Sequence, residues 1–179
     1  MEKATLAGGC FWCTEAVFQK LKGVESVLPG YTGGHIQNPT YEEVSSGESG
    51  HAEAIQIEFD PKIISFETLL DVFWQLHDPT TLNQQGADHG TQYRSAIFYH
   101  DEKQKELAEK SLEKAEAAGM YSDQFVTEIV PFDTFYEAEE EHRSFYENNP
   151  NQPYCRIVID PKIQKLYKNF HNQLKEDEL

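Results

Sequence analysis

Cys10 and Cys13, in the run Gly8-Gly9-Cys10-Phe11-Trp12-Cys13, are the residues whose type and spacing best suit them to chemistry. A thiolate is the reactive form of cysteine, and the unpaired N–H groups at a helix N-terminus favour it. The apolar run 3–7 predicts a strand, the two glycines a sharp turn, and Cys10 the first turn of a helix reaching residue 22. Cys10 is then a nucleophile at a helix N-terminus. The rings of Phe11 and Trp12 follow at once and would wall an apolar pocket suited to a methyl thioether.

The Cys-x-x-Cys spacing admits other readings. One is a general dithiol–disulfide oxidoreductase working through Cys10 and Cys13. Another is half a zinc site, which needs two further ligands, and no second paired Cys/His motif is present. A third is a non-catalytic protein that binds methionine-containing segments through Phe11 and Trp12. Free cysteine is also often simply buried. No metal and no organic cofactor is expected, because thiols alone can carry the electrons.

The chain has 179 residues, enough for one domain with a substantial core. Its 15 basic and 31 acidic residues give a formal charge of -16, which argues against nucleic acid or an anionic membrane as partner. No apolar run is long enough to span a bilayer, and residues 1–5 lack the features of a secretory signal. Three cysteines do not make a disulfide framework, so a reducing, cytoplasmic setting is expected.

Around the cysteines, strands are expected at 24–28, 54–59, 95–99 and 126–130, with a last candidate at 156–159. Helices are expected from Ser65 as N-cap, over 101–118 with Gly119 closing it, over 137–147, and from Pro161 onward. Two long polar loops, 29–50 and 78–94, lie between them; the first carries Tyr31, Tyr41 and Val44, which favours a functional loop. Residues 175–179 are expected to fray. The irregular alternation of strands and helices reads as α+β, a mixed sheet with helices packed on it, in a single domain over 1–179.

Gly9-Cys10-Phe11-Trp12, Gly30-Tyr31-Thr32-Gly33-Gly34, Asn38-Pro39-Thr40-Tyr41, Gly50-His51-Ala52-Glu53-Ala54 and Asp88-His89-Gly90-Thr91-Gln92-Tyr93-Arg94-Ser95 resemble, in order, the peptide methionine sulfoxide reductase A family. The resemblance runs from residue 4 to about 155. It implies a ferredoxin-like sandwich with extended loops, a monomer, and reduction of the S-epimer of methionine sulfoxide in proteins, peptides and the free amino acid. By resemblance Cys10 is the nucleophile, Phe11 and Trp12 hold the substrate methyl, and Glu53 protonates the sulfoxide oxygen with help from Tyr41 and Tyr93. Asp88 helps to hold the substrate. Thioredoxin is implied as the returning reductant. Sulfoxide oxygen leaves only if it gains a proton, so a general acid is required, and a carboxyl among aromatic rings keeps one near neutral pH. His51 and His89 are read as braces of their loops rather than acid–base groups.

A sulfenic acid on Cys10 needs a second thiol to form a disulfide. Cys155, after Asn149-Pro150-Asn151-Gln152-Pro153-Tyr154 in the C-terminal segment 148–179, resembles the family's recycling cysteine and is the favoured resolver. Pro153 stands where the family more often has Gly. Cys13, one helical turn from Cys10, is the alternative, as resolver or relay.

Overall fold

The computed structural model describes residues 1–179. Strands β1 (Glu2–Gly8), β2 (Val24–Thr32), β3 (Ala52–Phe59), β6 (Ser95–Tyr99), β7 (Glu128–Pro131) and β8 (Phe135–Glu137) form one sheet, and β4 (Gln84–Gln85) and β5 (Asp88–His89) a small separate ribbon. The large sheet has the order β7-β6-β1-β3-β2-β8; β6 and β7 run parallel and all other neighbours antiparallel. The fold is α+β with a mixed sheet. Helices α1 (Phe11–Phe18), α2 (Tyr41–Ser45), α3 (Phe66–Leu76), α4 (Glu102–Ala117), α5 (Phe145–Asn148) and α6 (Asp160–Asn169) complete it.

Side-chain alternation decides what each strand presents. Ile55, Ile57 and Phe59 of β3 join Leu6 and Ile97 in the main core, together with residues of α1, α3 and α6. Ala52, Ala54, Ala96 and Phe98 form a smaller core on the opposite face. Glu53 falls in register with Ile55 and Ile57, so the strand's period aims a carboxyl into the interior, where it is 1% exposed.

The helix starts read from sequence hold at α3 and α4. Ser65 Oγ accepts the Thr68 N–H at 3.1 Å, and Asp101 Oδ1 accepts the Gln104 N–H at 2.8 Å. Three expectations fail. Residues 156–159 are not a strand: Cys155–Ile159 is a π-helical turn that runs straight into α6. The expected helix 137–147 is broken into the end of β8, a 3-10 turn at Glu140–His142 and the short α5, with Ser144 in the left-handed region at φ 52°. The C-terminus does not fray. Leu174 bridges Leu21, the Lys175 N–H reaches the Lys20 carbonyl at 3.0 Å, and Lys20 Nζ meets Glu178 Oε2 at 2.9 Å.

Candidate active site

Strand β1 delivers the chain to Gly9, whose φ of +90° suits glycine; a Cβ there would lie 2.6 Å from the Gln85 side chain. Cys10 follows as the N-cap of α1, its carbonyl accepting the Cys13 N–H at 3.1 Å. All three cysteines are free and buried. Burial first, then the neighbouring Cys13 thiol, then the Glu53 charge raise the Cys10 thiol well above the usual cysteine range. Cys13 is lowered to about 7, chiefly by its neighbour Cys10, with further help from Lys162 and the Tyr154 hydroxyl, against its own burial and the charge of Asp88. The sequence leads one to expect the helix end to act on Cys10. Part of that end is taken up by Glu53, whose Oε1 accepts the Phe11 N–H at 3.1 Å. The two thiols therefore titrate together, Cys10 raised and Cys13 lowered.

Glu53 is pushed up to about 8, first by burial, with the Phe11 N–H opposing and the charges of Asp88 and Cys13 adding. It keeps its proton at neutral pH. Tyr41, at the start of α2, and Tyr93, in the 3-10 turn Thr91–Tyr93, lie in its field: burial and then Glu53 hold both hydroxyls above their usual range. Asp88, on β5, is bound by the Tyr154 hydroxyl at 2.8 Å. Cys10, Glu53, Tyr41, Tyr93 and Asp88 thus lie within electrostatic reach of one another, brought from a turn, a core strand, and two segments distant in sequence.

The aromatic pair divides its labour. Phe11 is fully buried, its ring 5.7 Å from Tyr31 and 5.3 Å from His142. Trp12 is half-buried, and Phe145 stacks on it with centroids 3.7 Å apart. Its Nε1–H donates to His142 Nδ1 at 3.1 Å. His142 lies 4.6 Å from the Tyr41 ring, and its Nε2 is buried without a partner.

The segment around His142 is held by two acidic side chains that sequence reasoning did not single out. Glu15 of α1, 3% exposed, accepts the Ser144 N–H on both oxygens at 3.0 Å, and burial pushes it up to about 7. Glu139 accepts the Tyr31 hydroxyl at 2.8 Å and the Tyr41 N–H at 2.9 Å. The available signal was a glutamate inside the otherwise apolar run 11–18. Tyr154 and Lys162 were missed as well; both line the thiol cavity.

That cavity holds about 150 Å³ and is lined by Cys10, Cys13, Asp88, Tyr154, Val158 and Lys162 among others. Cys155 sits on the π-helical turn behind it, fully buried, its thiol raised by burial and by the charge of Cys13. The segment thus places Cys155 inside the molecule rather than in an exposed loop. A larger cavity of about 500 Å³, lined by His35, His51, Arg94 and Glu128 among others, contains no thiol. There His51 does brace its loop: Nδ1 accepts the Gly34 N–H at 3.0 Å, and Nε2 pairs with the Ile36 carbonyl at 2.7 Å. His89 does not; its side chain is exposed, and only its residue position is paired, opposite Gln84 in the ribbon. No cluster of three or more His, Cys, Asp or Glu side chains is arranged to hold a metal ion.

Known proteins resemble this arrangement over nearly its whole length. The family model for peptide methionine sulfoxide reductase matches residues 2–175. The peptide methionine sulfoxide reductase MsrA of Sulfolobus acidocaldarius is 57% identical over 170 residues, covering 95% of this chain and 96% of that protein. Among solved structures, reduced Mxr1 from Saccharomyces cerevisiae superposes with a TM-score of 0.79 at 33% identity, covering 86% of this chain and 88% of that one. Mxr1 in complex with Trx2 superposes at 0.55 and 25% identity, covering 80% and 84%. On the extent of these matches, this chain belongs to the peptide methionine sulfoxide reductase family.

Proposed function

We propose that this enzyme reduces the S-epimer of methionine sulfoxide, in proteins, peptides and the free amino acid, by nucleophilic attack of Cys10 with Glu53 as the acid. The observation that carries the reading is a buried glutamate against the Cys10 helix end that retains its proton to about 8. The shared thiol proton moves onto Cys13, and the Cys10 sulfur bonds to the sulfoxide sulfur. Glu53 gives its proton to the oxygen, with the Tyr41 and Tyr93 hydroxyls as neutral donors beside it. The substrate S–O bond breaks as the hydroxyl passes to the Cys10 sulfur, the bond between the two sulfurs breaks with it, and Cys10 is left as a sulfenic acid while the thioether leaves as methionine. The sulfoxide sulfur gains two electrons and the Cys10 sulfur loses two.

A second thiol closes the cycle by forming a disulfide with Cys10 and releasing the oxygen as water. Cys13 takes this step first in our reading, because it lies one helical turn from Cys10 and lines the same cavity. Cys155, the resolver expected from sequence, acts next by exchange into that disulfide and offers the bond to the reductant; it does not line the cavity that Cys10 and Cys13 share. The solved complex of Mxr1 with Trx2 supports thioredoxin as that reductant.

Phe11 and Trp12 are the methyl-binding wall, and Asp88 holds the substrate once Tyr154 releases it. The order β6-β1-β3-β2, crossed by α1 and α3, supports a ferredoxin-like description of the central sheet. No helix is long and apolar enough to cross a membrane; three cysteines in 179 residues, too few for a disulfide framework, support a reducing, cytoplasmic setting. An epimer-resolved assay on dabsylated methionine sulfoxide with dithiothreitol tests the function. The S-epimer is converted and the R-epimer is left; failure to convert either would sink the reading.

A further inference from the structure

Lys162 is the one cation among the nine residues that line the thiol cavity of this strongly acidic protein. It is not engaged elsewhere: it belongs to none of the four salt bridges and makes no side-chain hydrogen bond. The π-helical turn and α6 form one continuous helical segment, which places Val158 and Lys162, four residues apart, on the same cavity wall. Opposite them are Cys10 and Cys13 at the N-terminus of α1, Asp88 on β5, and the Tyr154 hydroxyl between Cys13 and Asp88 at 3.7 and 2.8 Å. Glu53 of β3, Tyr41 of α2, Tyr93 of the 3-10 turn and Cys155 of the π-helical turn are the other ionisable groups around the pair.

We infer that Lys162 is a positioning residue for the thiol chemistry, its ammonium holding on Cys13 the negative charge with which that sulfur attacks the Cys10 sulfenic acid. The inference rests on the reading of Cys13 as first resolver. Without Lys162, the charged groups left beside Cys13 are Asp88 and, once deprotonated, Glu53, and both oppose a thiolate. Lys162 lowers Cys13, and its charge also bears on buried His77, which is lowered to about 4 chiefly by burial. In the step itself the Cys13 thiolate forms the S–S bond and the Cys10 S–O bond breaks. The hydroxide leaves and takes one proton to become water, with no outside oxidant.

The test compares wild type with Lys162→Met, Lys162→Gln and Lys162→Arg across pH. Two quantities are read: alkylation of Cys13 in the reduced enzyme, by peptide mass, and disulfide formation in a single turnover without reductant. Both neutral variants should move the two midpoints up by about one pH unit and slow disulfide formation at pH 7 about fivefold, with Lys162→Arg close to wild type. A neutral variant with the wild-type midpoint, or an arginine variant shifted as far as the neutral ones, would overturn the inference. A wild-type peptide map with Cys10 joined to Cys155 and Cys13 still free throughout the time course would instead overturn the resolver reading, and this inference with it.

Discussion

Glu53→Gln separates the chemistry of this site from its stability. Glutamine keeps an oxygen for the Phe11 N–H but has no proton to give. Loss of a general acid costs about 10²–10⁴-fold in the methionine-releasing step. Stability moves the other way. The Glu53 carboxyl is raised from 4.5 to about 8, so the folded state binds a proton that the unfolded chain has given up. Stability from this group is fully present below the unfolded value and is lost as pH rises through the folded one. At 1.36 kcal/mol per pH unit, the loss is about 3 kcal/mol at pH 7 and about 5 kcal/mol above pH 8. The variant should match wild type in urea unfolding at pH 4 and gain on it by these amounts as pH rises, other titrations cancelling in the difference. Single-turnover methionine release should fall with pH through about 8 in wild type and lose that limb in the variant. A stability difference that stays flat from pH 4 to 9, or a variant that retains activity within a few-fold of wild type, would refute the reasoning.

Other outcomes follow from the same geometry. Cys13→Ser should release one equivalent of methionine and then stall with thioredoxin; Cys155→Ser should form the first disulfide normally and lose only its onward transfer, which trapping of the mixed disulfide will show. Glu15→Ala leaves the Ser144 amide without its acceptor, at a cost of about 1–3 kcal/mol, and should speed limited proteolysis near residue 144. Phe145→Ala removes the ring stacked on Trp12; KM for peptide substrates should change more than kcat, measured under steady state with dithiothreitol. Truncation after Leu174 removes the Glu178 partner of Lys20 and should lower stability by about 1 kcal/mol, since the pair is partly exposed.

Local rules made much of this molecule legible from its residues. The glycine turn before Cys10, the capped starts of α3 and α4, and the inward register of β3 all follow from one-dimensional patterns. The failures cluster where distant partners decide. Residues 157–159 are β-branched and read as a strand, but Cys155, Ile159, Ile163 and Leu166 are the buried positions, and their helical spacing prevails. The helix expected over 137–147 gives way where Glu139 serves Tyr31 and Tyr41 instead of its own turn, and where Ser144 turns to offer its amide to Glu15. The position of Cys10 at the start of a helix was legible in sequence; the approach of Lys162 and Tyr154 to Cys13 was not, because both lie far along the chain. Glu53 was reached in the sequence only through the resemblance of Gly50-His51-Ala52-Glu53-Ala54, because the strand was expected to start at residue 54; β3 starts at Ala52, which puts Glu53 on its inward face.

Oxygen transfer to Cys10 is isolated in the double variant Cys13→Ser, Cys155→Ser. Given S-methionine sulfoxide and no reductant, this protein should release one equivalent of methionine. Peptide mapping, with a sulfenic-acid trap, should place one added oxygen on Cys10. Methionine release with Cys10 unmodified, or oxygen found at another residue, would contradict it.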